Sequence, residues 1–223
     1  MADLFDGLSS SRSDAENRCG ELERWAYAQG FKQIVGLDEA GRGPLAGPVV
    51  AAAVALPYPC PLDGIDDSKA LNSTKREALF EPIQSVAIAW AIASCSAEEI
   101  DTLNILQASL TAMARAFDEA SAQLPSRTEL LVVTDGNKRA PLPPDIDQRP
   151  LVKGDQRSLN IAAASILAKV HRDRLMQRYD AKWPQYGFAK HKGYPTAAHQ
   201  EALMMHGPCP IHRQSFNLEG RRR

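Results

Sequence analysis

The chain has 223 residues, 44% of them hydrophobic and 24% charged, with 14 Gly and 15 Pro. That length suits one sizeable domain with small appendages, and the composition excludes collagen-like, low-complexity and disordered classes. The net charge of −1 hides a split: residues 151–223 carry 13 Lys/Arg against 5 Asp/Glu and all five His, and residues 1–150 carry 13 against 22, an asymmetry that by itself reads more readily as solvated surface and that also suits a metal-dependent enzyme acting on a polyanion.

Residues 1–10 lack the basic start and apolar core of a signal peptide. Residues 14–30 predict a short amphipathic helix with Leu22, Trp25 and Tyr27 among charges, stopped by Gly30. Apolar, β-branched runs at 31–37 and 48–56 predict paired strands around a Gly/Pro-rich segment. The charge-free stretch 44–62 is long enough to cross a bilayer, but Pro44, Pro48, Pro57, Pro59 and Pro61 would break a spanning helix, so no membrane span is expected. The pattern Thr74 with Glu77 predicts a capping box, residues 86–94 a strand, and Ser96 with Glu99 a second box opening a helix through Leu103, Leu106, Leu110, Met113 and Phe117. Residues 129–134 and 150–153 read as buried strands, a long helix follows from Ser158 to about Trp183-Pro184, and a short one starts at Thr196. This order predicts an α/β sheet flanked by helices. Cys19, Cys60, Cys95 and Cys209 are too scattered for a zinc site or a disulfide framework and read as reduced thiols of a cytoplasmic protein.

Three apolar strands run into acids: Asp38 and Glu39, Asp135, and Asp155. Ligands gather at strand ends in open α/β sheets, and crowded carboxylates are tolerable when a divalent cation neutralises them. Oxygen-only ligands select Mg²⁺ or Mn²⁺, and the implied chemistry is phosphoryl transfer with two divalent ions. Neighbours on a regular strand face opposite sides, so using both Asp38 and Glu39 requires β-structure to end or distort there. Gly41-Arg42-Gly43 supplies a loop whose main chain can approach a ligand closely and whose arginine can pair with phosphate.

The continuous run Gly36-Leu37-Asp38-Glu39-Ala40-Gly41-Arg42-Gly43-Pro44-Leu45-Ala46-Gly47-Pro48 resembles the signature of bacterial ribonuclease HII, the type 2 ribonuclease H. Asp67-Ser68-Lys69, Asp135-Gly136-Asn137, Lys153-Gly154-Asp155, Ala164-Ser165-Ile166-Leu167-Ala168-Lys169 and His191-Lys192-Gly193-Tyr194 follow in the family's order. The resemblance implies a ribonuclease H-like fold, a mixed five-stranded sheet flanked by helices, with a helical C-terminal extension that grips the duplex. It divides the chain into a helical appendage (1–30), a catalytic core (31–186) and the extension with its basic tail (187–223). It implies that Asp38, Glu39, Asp135 and Asp155 bind the metals, the same four that the strand ends indicate. It also implies that the main chain of Gly41, Arg42 and Gly43 reads a ribose 2′-OH and that Tyr194 stacks on the sugar beyond the scissile phosphate. Ser68, Lys69, Ser165 and Lys169 resemble phosphate-holding positions, His191 and Lys192 are further candidates for the backbone, and His212-Arg213 with Phe216 resembles an element that anchors the tail.

The expected activity is endonucleolytic cleavage on the 5′ side of a ribonucleotide, in RNA/DNA hybrids and ribonucleotide-containing duplex DNA, by a monomer. Type 1 relatives lack the adjacent Asp-Glu before Gly-Arg-Gly, and type 3 relatives carry an N-terminal domain for which the residues before Phe31 leave no room. A hybrid-binding module of the same fold with weak catalysis is the alternative. It would usually have lost a carboxylate, and a small-molecule kinase or phosphatase would need neither the basic C-terminal portion nor Tyr194.

Overall fold

The computed structural model describes residues 20–65 and 71–218. Helix α1 (Glu21–Ala28) leads into β1 (Gln33–Ala40) and β2 (Val49–Ala55), then α2 (Ser73–Val86), β3 (Ala89–Cys95), α3 (Ala97–Leu103), α4 (Ile105–Ser121), β4 (Leu130–Asp135) and β5 (Asp147–Leu151). A 3-10 turn at Gly154–Gln156 precedes α5 (Leu159–Lys182), and a second at Pro184–Tyr186 precedes α6 (Phe188–His191) and α7 (Ala197–His206). The five strands form one mixed sheet in the order β3-β2-β1-β4-β5, with β1 antiparallel to β2, β2 antiparallel to β3, and β4 and β5 running parallel to β1. This is the mixed five-stranded sheet with flanking helices that the resemblance implied.

Side chains alternate across a strand, and here the alternation sorts two cores. Val35, Leu37, Val49, Ala51 and Ala53 pack against Ala108, Ala112, Met113 and Phe117 of α4. Val50, Ala52 and Val54 pack on the other face against Ala162, Ala163, Ala164, Ile166 and Leu167 of α5. The small residues on both sides let α5 lie close to the sheet. The approach is closest at Gly36, where a Cβ would sit 2.2 Å from the Asn160 carbonyl carbon. Asn160 is itself fixed: its Oδ1 accepts from Leu56 N at 2.7 Å and its Nδ2 donates to buried Glu23 of α1 at 2.8 Å. Ser158 caps α5, its hydroxyl accepting from Ile161 N. A third cluster, Leu45, Ala46, Met176, Tyr186, Phe188, Leu203 and Cys209, joins the chain after residue 186 to the loop between β1 and β2.

Several local expectations are corrected. α1 covers Glu21–Ala28, and the earlier part of the expected helix lies outside the described residues. The cap of α2 is Asn72, whose Oδ1 accepts from Lys75 N, rather than Thr74. The capping box of Ser96 and Glu99 is present, but the helix after it breaks at Asn104, whose φ of 69° no helix accommodates, and whose side chain caps α4. Val86 belongs to α2 rather than β3. The last strand occupies Asp147–Leu151, so Asp155 lies on the following 3-10 turn instead of at a strand end. Asp38 and Glu39 sit within β1, which continues regularly to Ala40. At β3, an outer strand of the sheet, Gln123 of the segment after α4 pairs with both Trp90 N and Trp90 O, and Arg115 donates to Ser94 O. No described helix is long and apolar enough to cross a membrane.

Candidate active site

The parallel pairing of β1 with β4 ends with Leu37 opposite Thr134. The next residue on each strand is Asp38 and Asp135, so register alone sets two acids side by side on strands about 5 Å apart. Both line a pocket of about 290 Å³, together with Glu39, Gly41, Arg42, Gly43, Ser165, Lys169 and Tyr194. A larger groove of about 1070 Å³ beside β3 has Glu119 as its one carboxylate, so acid chemistry belongs to the smaller pocket.

Asp38 is buried, and its Oδ1 accepts from Glu39 N at 2.7 Å. Burial, then the charges of Glu39 and Asp135, push its carboxyl well above the ordinary carboxylate range, against the lowering effect of hydrogen bonds from Ser165 and the Glu39 amide. Ser165 therefore addresses Asp38 directly from α5. Asp135 Oδ1 accepts from Gly154 N at 2.7 Å, which ties β4 to the turn carrying buried Asp155. Asp155 is next to this bond but is not among the residues lining the pocket.

The donor set is oxygen-only, with no His or Cys lining the pocket, and it suits a hard divalent cation. The charge that Glu39 and Asp135 impose on Asp38 is what such a cation relieves. Among the described residues no three His, Cys, Asp or Glu side chains form a ready ligand group. The fit is accordingly to an ion of the Mg²⁺ type, which keeps waters and is bound through one or two carboxylates together with substrate phosphate rather than in an all-protein cage.

The Gly-Arg-Gly loop is held by two buried arginines that sequence reasoning did not place in the site. Arg213 donates to the carbonyls of Gly41 (2.5 Å), Arg42 (2.9 Å) and Gly47 (3.0 Å). Arg172 of α5 donates to those of Ala46 (3.1 Å), Pro48 (3.0 Å) and Lys192 (3.1 Å). Burial and the neighbouring Arg172 bring Arg213 down to about 9, which leaves it cationic at neutral pH. Gly41 has a φ of 101°, and a Cβ there would lie 2.1 Å from Arg172 Nε, so this position takes glycine for both reasons. Further main-chain bonds, Leu45 N to Gly193 O and Gly47 N to Ile211 O, knit the loop to the C-terminal segments.

Arg42 turns its guanidinium back to Glu39 Oε1 at 3.2 Å. Tyr194 is 44% exposed, and a Cβ on Gly43 would be 3.5 Å from its Cε1, so the ring stands against the Gly-Arg-Gly loop at the mouth of the pocket. Lys169 lines the pocket while paired with Asp173 at 2.7 Å. His191 and Lys192 are not brought to it: His191 uses Nε2 on Tyr186 O and Nδ1 on Gly193 N, and Lys192 Nζ donates to Ala189 O. Ser68 and Lys69 lie outside the described residues. Arg76, from the first turn of α2, also lines the pocket, and no motif in the sequence marks it.

The family model for Ribonuclease HII matches residues 35–219. The chain is 54% identical over 195 residues to Ribonuclease HII of Syntrophotalea carbinolica, covering 87% of this chain and 90% of that protein. Its fold resembles that of the ribonuclease H2 from Pyrococcus horikoshii OT3, with a TM-score of 0.67 at 23% identity over 84% of this chain and 95% of the other. It also resembles Bst-RNase HIII in complex with Mn²⁺, with a TM-score of 0.71 at 18% identity over 87% and 70% of the two chains. At such identities the structural likenesses speak for the fold alone, whereas a family model spanning most of the chain and a relative of more than half identity speak for descent: the chain belongs to the ribonuclease HII family and is a ribonuclease H enzyme.

Proposed function

We propose that this ribonuclease H hydrolyses the phosphodiester on the 5′ side of a ribonucleotide, in RNA/DNA hybrids and in DNA duplexes with embedded ribonucleotides, leaving 3′-hydroxyl and 5′-phosphate ends. The observation that carries this reading is the meeting of the carboxylates Asp38, Glu39 and Asp135 with the Gly41-Arg42-Gly43 main chain and the Tyr194 ring at one pocket. Asp38, Glu39, Asp135 and Asp155 would hold two divalent ions, Mg²⁺ or Mn²⁺. Such ions supply, when bound, an activated nucleophile and charge stabilisation at the leaving oxygen.

The chain's own groups do the rest. Ser165 orients the Asp38 carboxylate. Arg213 and Arg172 fix the main chain of the loop, so its polar groups can address a ribose 2′-OH without reorganising. Lys169, with Ser68 and Lys69, would take backbone phosphates, and residues 187–223 would grip the duplex. Described Cys60, Cys95 and Cys209 are free thiols.

Tyr194 provides the test. Tyr194→Phe keeps the ring and loses one hydrogen bond, a cost of about 1 kcal/mol in kcat/KM on a duplex with a single ribonucleotide. Tyr194→Ala loses more there than on an all-RNA/DNA hybrid, because no neighbouring 2′-OH can compensate for misalignment. Equal losses on both substrates, or none on either, would reject junction sensing.

A further inference from the structure

Three histidines stand behind Tyr194, away from the carboxylates. His199 on α7 lies with its ring 4.4 Å from that of His191, nearly parallel to it, and its Nε2 is 3.0 Å from Nε2 of His212. Both His199 and His212 are buried. The surrounding partners decide which nitrogens carry protons. His199 Nδ1 lies 2.9 Å from Tyr194 O, which can only accept, so Nδ1 is the donor and Nε2 is bare. The bare His199 Nε2 can only accept, so His212 donates to it from Nε2, and its Nδ1 is left to accept from Cys209 N at 2.9 Å, nearer than Cys209 O at 3.3 Å. The result is a directed chain from Cys209 N through His212 and His199 to the carbonyl of Tyr194, intact only while both rings are neutral.

We propose that the His199–His212 pair is a positioning device that sets Tyr194 against the Gly-Arg-Gly loop, acting through the Tyr194 carbonyl. His212 also belongs to the segment that holds the loop: it bridges Ala46 and precedes Arg213, whose guanidinium grips Gly41 and Arg42. One hydrogen-bonded pair thus joins the two sides of the ribose-reading mouth, Tyr194 through His199 and the glycine loop through His212. The titratable and charged groups around the pair are His191, His206, Tyr186, Cys209 and Tyr194, with Arg172 and Arg213 on the adjoining main chain. Burial first lowers both rings, against the raising effect of their main-chain bonds; nearby His191 lowers both further and His199 lowers His212, which comes down to about 4. This inference rests on the reading of Tyr194 as the junction sensor, and the experiment separates the two.

Two substitutions at His199 divide its bonds. An Asn amide nitrogen matches the place of Nδ1 and keeps the bond to Tyr194 O while losing His212. A Gln carbonyl matches the place of Nε2 and keeps His212 while losing Tyr194 O. Hydrogen exchange of the segment 191–196 is read alongside the ratio of kcat/KM on a single-ribonucleotide duplex to that on an all-RNA/DNA hybrid, after both variants are shown to melt cooperatively. His199→Gln is expected to exchange severalfold faster in 191–196 and to lower the substrate ratio severalfold, with His199→Asn, which keeps the bond to Tyr194 O but cuts the link to His212, falling between it and wild type in both. Should the two variants match each other in exchange, the positioning role is overturned. Should exchange separate them while the substrate ratio stays fixed, positioning stands and junction sensing by Tyr194 falls.

Discussion

Asp38 concentrates the electrostatic problem of the site in one side chain. An acid whose folded pKa is raised binds more protons folded than unfolded between its ordinary value and the raised one, so it lowers stability as pH climbs through that window. The cause is burial first, then the charges of Glu39 and Asp135. Asp38→Asn should therefore melt a few degrees above wild type in chelator at pH 8, with the gap closing as pH falls toward 4, as about 1 kcal/mol moves Tm by 2–4 °C in a chain of this size. The same variant should lose turnover by about three orders of magnitude or more at saturating Mg²⁺. A lower Tm in chelator, or a wild-type rate with metal, would remove Asp38 from the site. Asp38 and Asp135 were legible in the sequence because acids that follow apolar parallel strands land at adjacent strand ends. The clamping roles of Arg172 and Arg213 were not, because nothing in an arginine's neighbours along the chain says that three main-chain carbonyls remote in sequence will converge on it.

Elements carry the same lesson in a different form. Periodicity located α4 and α5, and the caps Ser96, Ser158 and Thr196 all accept from the first turns of their helices. The break at Asn104 escaped periodicity because Leu103 and Leu106 keep helical spacing on either side of it. The loop between β1 and β2 takes its order from outside itself, from Arg213 and Arg172. Arg213→Lys replaces a fork of donors with a point charge that cannot reach all three carbonyls, leaving at least one buried acceptor unpaired at a cost of about 1–3 kcal/mol each. The expected outcome is a Tm lower by several degrees and a fall in kcat/KM of tenfold or more, with far-UV circular dichroism unchanged. A Tm and rate equal to wild type would show that the loop holds its shape without the clamp.

Across the whole molecule, charge is divided as function requires, acids at the sheet ends and bases toward the C-terminus. Exposed Lys153 beside the Asp155 turn and Lys190 on α6 are suited to phosphate contact. Replacing both with Ala should lower the slope of log affinity against log salt for a hybrid by about 0.9 for each lysine that contacts a phosphate. An unchanged slope places the duplex elsewhere. Deleting the chain from Gly187 would be a blunter test, because Arg213 and the Gly193 carbonyl leave with it and the loop between β1 and β2 loses its supports. The spans involved are long: the Arg213 bonds to the loop close 166 to 172 residues of chain. During synthesis the N-terminal part of a chain folds first, and contacts this distant in sequence form late. A nascent chain therefore has its strands and carboxylates in place while the loop between β1 and β2 still waits for Arg213 to emerge and clamp it.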